Sequence, residues 1–148
     1  RPYPGGLTYS GHPLACAAGV ASIRVFEETH LLDHVRRLGS EVAEPQLRAL
    51  MARHPSIGEV RGRGLFWAVE LVKNRETREM LVPYNASGTD KEPMSKVVAA
   101  CREVGLWPFS HFNRIHVAPA LIITREELED GIARLDQALT VADGYVEG

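Results

Sequence analysis

The stretch Gly5-Gly6-Leu7-Thr8-Tyr9-Ser10-Gly11-His12-Pro13-Leu14-Ala15-Cys16 runs from a loop rich in glycine and hydroxyl groups into a helix of small residues. Pro13 suits the first turn of that helix, because the N–H group that it lacks would have no partner there. The positive dipole end of a helix attracts an anion, and Thr8 and Ser10 add hydroxyl donors. The stretch therefore predicts either a holder for a phosphate or carboxylate, or an ordinary Gly/Ser turn that caps a helix.

Residues 7–18 read Leu-Thr-Tyr-Ser-Gly-His-Pro-Leu-Ala-Cys-Ala-Ala and resemble a signature of the class III (omega) aminotransferases, which depend on pyridoxal 5'-phosphate (PLP). In that family the segment follows the catalytic lysine, and its threonine crosses the dimer interface to the cofactor phosphate of the other subunit. Thr8 matches this threonine. The resemblance thus implies PLP as cofactor, Thr8 and Ser10 as cofactor-binding residues, and a homodimer.

Composition narrows the class of protein. The chain has 148 residues, of which 45% are apolar and 24% charged, as in soluble globular proteins. A net charge of −2 gives no reason to expect nucleic acid or a membrane as partner. We find no signal peptide and no apolar run of membrane-spanning length, so we expect a cytoplasmic protein. Because the chain begins with Arg1, we expect it to be a piece of a longer protein.

Hydrophobic periodicity predicts helices and strands in a mixed order. Helices are expected at 13–28, at 31–53 with a kink or break at Pro45, at 93–104, and after the capping box Thr124–Glu127; strands are expected at 65–72, 106–109 and 114–117. Gly62 and Gly64 indicate a turn or bulge between two strand pieces, the second of which is 65–72. In that piece Phe66, Ala68, Glu70 and Val72 are expected on one face, and Leu65, Trp67, Val69 and Leu71 on the other. Residues 73–92 are interpreted as a polar loop, and Cys16 and Cys101 as buried free thiols.

This order predicts an α/β fold of two layers, in which helices cover a small, mostly antiparallel sheet. It agrees with the C-terminal small domain of fold-type I PLP enzymes, and Val60–Leu65 resembles the "VRGxGL" hairpin of that domain. The resemblance implies that residues 1–28 are the tail of the large domain, with the cofactor-phosphate loop and a linking helix. Residues 29–148 would then form the small domain.

The catalytic lysine of an aminotransferase forms a Schiff base with PLP and shuttles a proton. The lysines here are Lys73, Lys91 and Lys96, and all of them lie in stretches that are predicted to be loop or exposed helix. None lies in a motif like that of the catalytic lysine, which the family places upstream of Thr8. We therefore expect no catalytic residue in this chain, and we expect it to need its own large domain, a second subunit, an amino donor and a 2-oxo acid.

Arg114 and His116 are the predicted substrate-binding residues. Many family members have an arginine three residues before the proline that corresponds to Pro119, and it binds a substrate carboxylate. His116 occupies that position here, while Arg114 lies two residues earlier, on the same face of a strand. Residues 107–114 resemble taurine–pyruvate-type members, and a guanidinium suits sulfonate as well as carboxylate. An ω-amino acid or amino-sulfonate substrate follows as a hypothesis, beside the alternative of a surface arginine and a sheet histidine.

Other interpretations of the chain stay open at this point. A PLP mutase or decarboxylase relative shares the Thr8-type motif, and a non-catalytic binding or regulatory domain would retain the fold without the lysine. A free-standing phosphate-binding module would rest on the Gly/Ser loop alone. His30 and His34 are four residues apart, but no third ligand accompanies them, so no metal site is predicted.

Overall fold

A computed structural model describes residues 5–6 and 8–147 and divides the chain into two compact units, residues 1–33 and 34–148. Residues 1–4 and 7, which belong to the predicted first domain, lie outside the described residues. In the first unit a turn at residues 8–11 precedes helix α1, Pro13–Glu28, with Pro13 in its first turn as predicted. No residue of α1 is buried, so the expectation that Cys16 is buried was wrong.

Helices and strands of the second unit follow in an order close to the prediction. The helices are α2 (Leu31–Leu38, which begins in the first unit), α3 (Glu44–Arg53), α4 (Glu92–Glu103) and α5 (Arg125–Asp143). The strands are β1 (Ile57–Arg63), β2 (Phe66–Asn74), β3 (Glu79–Met80), β4 (Phe109–His111) and β5 (Arg114–Val117). The predicted capping box is confirmed, because Thr124 accepts from the backbone of Glu127 while the Glu127 side chain accepts from the backbone of Thr124.

Pro45 breaks the predicted helix 31–53, as expected. A π-helical turn at Gly39–Ala43 separates α2 from α3, and Pro45 lies in the first turn of α3. A proline there has no N–H group to donate to the preceding turn, so the chain widens before the α-helix resumes.

The sheet has the order β1-β2-β5-β4, with every neighbouring pair antiparallel, and β3 pairs with β2 outside this order. One face of the sheet is apolar and packs against the helices. This face is formed by Val60, Trp67, Val69 and Ile115, all buried, and it continues into apolar residues of α3, α4 and α5. The predicted two-layer α/β fold is confirmed. We call the opposite side of the sheet, which these helices leave uncovered, the outer face.

The prediction that 73–92 is a loop was partly wrong. β2 continues through Lys73 and Asn74, and β3 pairs with its end. Leu81 and Val82 are almost fully buried, and the Leu81 amide donates to the carbonyl oxygen of Leu71 at 3.1 Å. Two buried apolar residues thus anchor a short strand that the polar composition of the segment conceals.

The strand predicted at 106–109 was also misplaced, because β4 begins only at Phe109. The Leu106 amide instead donates to Cys101 O at 2.8 Å, beside Gly105 at φ +83°, and this contact ends α4. Pro108 offers no N–H group to a sheet. Cys101 is buried as expected, and burial raises the pKa of its thiol to about 11.

A buried histidine joins α3 and β1 to α5. His54 is 5% exposed, with Nδ1 2.6 Å from Asp143 Oδ2 and Nε2 2.7 Å from Asp136 Oδ1. Ser56 Oγ donates to Asp143 Oδ1 at 2.7 Å, so Asp143 contacts both His54 and Ser56, which precede β1.

The first prediction concerns Gly39, whose backbone contacts the turn of the β1–β2 hairpin. A Cβ atom at Gly39 would lie 2.5 Å from the Gly64 Cα, and Gly64 itself has φ +58°. We expect Gly39→Ala to lower the free energy of unfolding by about 2 kcal/mol, because backbone atoms must move apart. Urea unfolding measures this change.

Gly131→Ala is the matched control, because a Cβ atom there meets nothing within 4 Å on helix α5. This variant should gain about 0.5–1 kcal/mol from helix propensity. Equal effects of the two substitutions would contradict the close approach of Gly39 to Gly64.

The second prediction concerns acid stability. Although burial opposes its ionisation, hydrogen bonds from Ser56 and His54 hold the pKa of Asp143 below its ordinary value of 3.8. Its contribution is therefore fully present above that value and is lost as the pH falls through the lower pKa of the folded state. Asp143→Asn should cost about 1–3 kcal/mol at pH 7 and progressively less in acid. Urea unfolding over a pH series tests this, and the exposed Asp90→Asn is the control; a constant cost at every pH would contradict it.

Candidate functional site

The outer face carries most of the charged and aromatic side chains of the sheet. Antiparallel register brings them together across four strands, since Arg61 lies opposite Ala68, Ala68 opposite His116, and His116 opposite Phe109. The exposed and half-buried members are Glu59, Arg61, Arg63, Phe66, Ala68, Glu70, Phe109, His111, Arg114 and His116. The result is an open surface on which four strands contribute to one site.

Arg114 and His116 lie on this face, two residues apart on β5, as the sequence predicted. Arg114 Nη2 lies 3.2 Å from Nδ1 of His111, which is directly opposite on β4. A guanidinium is only a donor, so Nδ1 of His111 is the acceptor of this contact. The other N–H groups of Arg114 remain available on the outer face.

His116 lies between two aromatic rings. Its ring is stacked on Phe66, with centroids 5.8 Å apart, and tilted against Phe109 at 5.2 Å. Nδ1 of His116 is buried and has no hydrogen-bond partner within residues 5–6 and 8–147. Burial, and then electrostatic interaction with Arg114, His111 and Arg61, lowers the pKa of His116 below its ordinary value of 6.5. His116 is thus mostly neutral at pH 7, and the arginines supply the charge of the face.

The arginines of the outer face differ in their partners. Arg61 Nη1 binds Glu59 at 2.6 Å and Glu70 at 3.0 Å. Arg63 and Arg114 have no carboxylate partner in the part of the chain that the structure describes. The face therefore carries two uncompensated guanidinium groups and can bind a carboxylate, sulfonate or phosphate.

Sequence reasoning missed several residues of this face. Arg61, Arg63, Phe66, Phe109 and His111 join Arg114 and His116 there. Because successive side chains of a strand point to opposite sides, the sequence indicated which residues of β1 and β2 share a face. The pairing of β2 with β5 has no signal in the sequence.

Thr8 and Ser10 belong to the exposed turn before α1, where Gly11 has φ +72°. His12 is the N-cap residue of α1, and no side chain caps the helix. Neither hydroxyl forms a hydrogen bond to any other described residue. The free amides of the first turn and the two hydroxyls thus provide unused donors for an anion.

The lysines are poorly placed for Schiff-base chemistry. Lys73 lies in β2, not in the predicted loop, and its Nζ is 3.6 Å from both Glu79 and Glu147. Lys96 binds Glu92 at 2.8 Å, and the hydrogen bond to Glu92 raises the pKa of its ammonium. Lys91 is exposed in a 3₁₀ turn. A nucleophilic lysine needs a lowered pKa, and the surroundings of Lys96 act in the opposite direction.

Across residues 5–6 and 8–147, no group of three or more histidine, cysteine or acidic side chains is arranged to hold a metal ion. In the same residues, each helix is too short or too polar to cross a bilayer.

The third prediction follows from the charges around His116. We expect Arg114→Gln to raise the pKa of His116 toward its ordinary value, because one nearby positive charge is removed. Phe66→Ala should raise it further by exposing the ring to water. Titration of the His116 Hε1 resonance by NMR measures both shifts. Arg48→Gln, on the distant helix α3, should leave the curve unchanged; an equal shift in that control would contradict the proximity of Arg114.

Comparison with known proteins confirms the resemblance. The profile described as "Aminotransferase class-III" matches residues 2–139. A 5-aminovalerate aminotransferase of Pseudomonas aeruginosa is 37% identical over 137 residues, which are 89% of this chain and 30% of that protein. An ethanolamine-phosphate phospho-lyase homolog of Caenorhabditis elegans is 33% identical over 90% of this chain and 27% of its own length.

Among solved structures, a taurine:2-oxoglutarate aminotransferase from Bifidobacterium kashiwanohense, in complex with PLP and glutamate, is 39% identical and matches with a TM-score of 0.85. The match covers 95% of this chain and 31% of that one, so the chain spans about three tenths of the length of such relatives. The expected small-domain fold and the PLP dependence of the family are both confirmed by these matches. The chain belongs to the class III aminotransferase family.

Proposed function

We propose that this chain is the C-terminal part of a PLP-dependent aminotransferase, which transfers an amino group from an amino acid or ω-amino compound to a 2-oxo acid. The observation that carries the proposal is the family match, which extends over residues 2–139. When bound, PLP supplies the electron sink that lets the amino group leave one carbon skeleton and join another. The residues of this chain then have to bind and orient PLP and substrate.

Thr8 and Ser10 are the proposed ligands of the cofactor phosphate. Their hydroxyls have no partner among the described residues, and the amides of the first turn of α1 lack a side-chain cap. This donor set fits a phosphate dianion. In a homodimer, the Thr8 hydroxyl would donate to the phosphate in the other subunit.

The outer face is the proposed site for the anionic end of the substrate. Arg114 offers free guanidinium donors, and His116, two residues away on the same face, is the second proposed substrate-binding residue. A carboxylate or a sulfonate fits these donors equally well. The names of two relatives, an aminotransferase of 5-aminovalerate and one of taurine, support an ω-amino acid or amino-sulfonate as the amino donor.

The rest of the active site comes from outside this chain in our proposal. None of Lys73, Lys91 and Lys96 is placed to react, so the catalytic lysine belongs to a large domain that precedes residue 29. Residues 1–28 would be the tail of that domain. Helix α1 exposes Leu14, Val20 and Ile23, as a segment does when it packs against another domain or subunit. The free thiols Cys16 and Cys101 suit a reducing compartment, so we place the enzyme in the cytoplasm.

A PLP-dependent lyase is the second candidate. One relative of similar identity carries the name of a phospho-lyase homolog. Arginines without carboxylate partners, such as Arg63 and Arg114, also suit a phosphorylated amine. The two candidates differ in one requirement, because only amino transfer consumes a 2-oxo acid.

The fourth prediction tests this function in the complete polypeptide that contains the chain. We expect it to bind PLP and to convert a 2-oxo acid into an amino acid only when an amino donor is present. Thr8→Ala should weaken PLP binding by about 10- to 100-fold, since a hydrogen bond to a charged acceptor is lost. Equilibrium dialysis of PLP measures the change, and Thr29→Ala is the control because the Thr29 hydroxyl already donates to Val25 O.

Residues 1–148 alone should neither bind PLP covalently nor transfer an amino group. Amino transfer by this chain alone would contradict the proposed position of the lysine. Release of phosphate without use of a 2-oxo acid would favour the lyase, and equal PLP affinity of the Thr8 and Thr29 variants would contradict the role of Thr8.

A further inference from the structure

Glu70 lies at the centre of the outer face, between Arg61 of β1 and Arg114 of β5. On one side it is directly opposite Glu59 of β1, and on the other it is directly opposite Arg114 of β5. Side chains directly opposite each other in antiparallel strands have Cβ atoms about 4.5–5.5 Å apart, so Glu70 is within reach of Arg114. The register alone would predict an ion pair between them.

The structure has a different pairing. The Glu70 carboxylate forms an ion pair with Arg61, with its Oε2 3.0 Å from Nη1, and the same nitrogen donates to Glu59 Oε2 at 2.6 Å. Arg114 is directed to His111 instead. Arg61 thus bridges two carboxylates that lie opposite each other and would repel without it.

We propose that Arg61 is a positioning residue, which holds Glu70 away from Arg114 and thereby keeps the Arg114 guanidinium free for the anionic group of the substrate. The inference rests on the proposed function of the outer face. It adds a role for Arg61 and Glu70, neither of which contacts the substrate in this account.

Arg61 matters in this way because the Glu70 carboxylate and the anionic group of the substrate compete for the same N–H groups of Arg114. A Glu70 carboxylate on Arg114 would occupy the N–H groups that a substrate carboxylate or sulfonate needs. When Arg61 is removed, Glu70 loses its partner and remains opposite Glu59. Both the repulsion from Glu59 and the attraction of Arg114 then move Glu70 toward the binding site.

The order of effects among variants distinguishes this role from simple loss of charge. Arg61→Gln should weaken anion binding, and Glu70→Gln should leave it unchanged or strengthen it. The double variant should restore binding, because the competing carboxylate is absent. If Arg61 acted only through its positive charge, the two effects would be additive. Arg61→Gln would then weaken anion binding by the same factor in the Glu70→Gln variant as in the wild type.

The experiment uses the 148-residue chain and two probes, sodium methanesulfonate and sodium acetate, titrated at constant ionic strength and followed by NMR. Binding by Arg61→Gln should be about three- to fivefold weaker than by the wild type, the size expected of a partly exposed ion pair. Arg61→Gln/Glu70→Gln should return to within twofold of Glu70→Gln. Arg48→Gln removes an arginine that is paired with Glu44 on α3, and it serves as the control for net charge.

A second readout needs no ligand. The Nε–Hε resonance of Arg114, assigned with Arg114→Lys, should move in Arg61→Gln and return in the double variant. An unmoved resonance, or a double variant that binds as weakly as Arg61→Gln, would overturn the inference. If the resonance behaves as expected but neither probe binds the wild type, the pairing holds and the proposed substrate site on the outer face fails.

Discussion

The antiparallel pairing of β2 with both β1 and β5 is the constraint on which the rest of the second unit depends. Alternate residues of β2 point to opposite sides of the sheet, so Trp67, Val69 and Leu71 enter the core while Phe66 and Glu70 face outward. A shift of one residue in the register would bury Glu70 and expose Trp67. The apolar core therefore determines the composition of the outer face as well.

The outer face depends on exact cross-strand neighbours. Glu70 has both Arg61 and Arg114 within reach, and among the described residues the observed pairing leaves Arg114 without a carboxylate. Such a surface gains little stability from its ion pairs, because partly exposed pairs contribute at most about 1 kcal/mol each. The ion pairs instead determine which guanidinium N–H groups remain available to bind an anion.

The ends of the core are held by polar contacts. His54 joins α5 to the segment between α3 and β1, while the Arg75 guanidinium donates to the carbonyl oxygens of Met51, His54 and Ile57. A buried polar group such as His54 is costly unless its hydrogen bonds are made. Together, the contacts of His54 and Arg75 favour one arrangement of the helices on the sheet. This arrangement keeps the outer face in place.

The sequence by itself determined the helices, the β1–β2 hairpin, the inner face of β2 and the family, because periodicity, capping residues and the Thr8 segment are local patterns. It also identified Arg114 and His116 as neighbours on one strand. Only the tertiary structure decided that β2 pairs with β5, which brings Arg61, Glu70 and Phe66 beside them. That pairing joins residues about 45 positions apart through backbone hydrogen bonds that are the same for every sequence. For this reason no local pattern carries it.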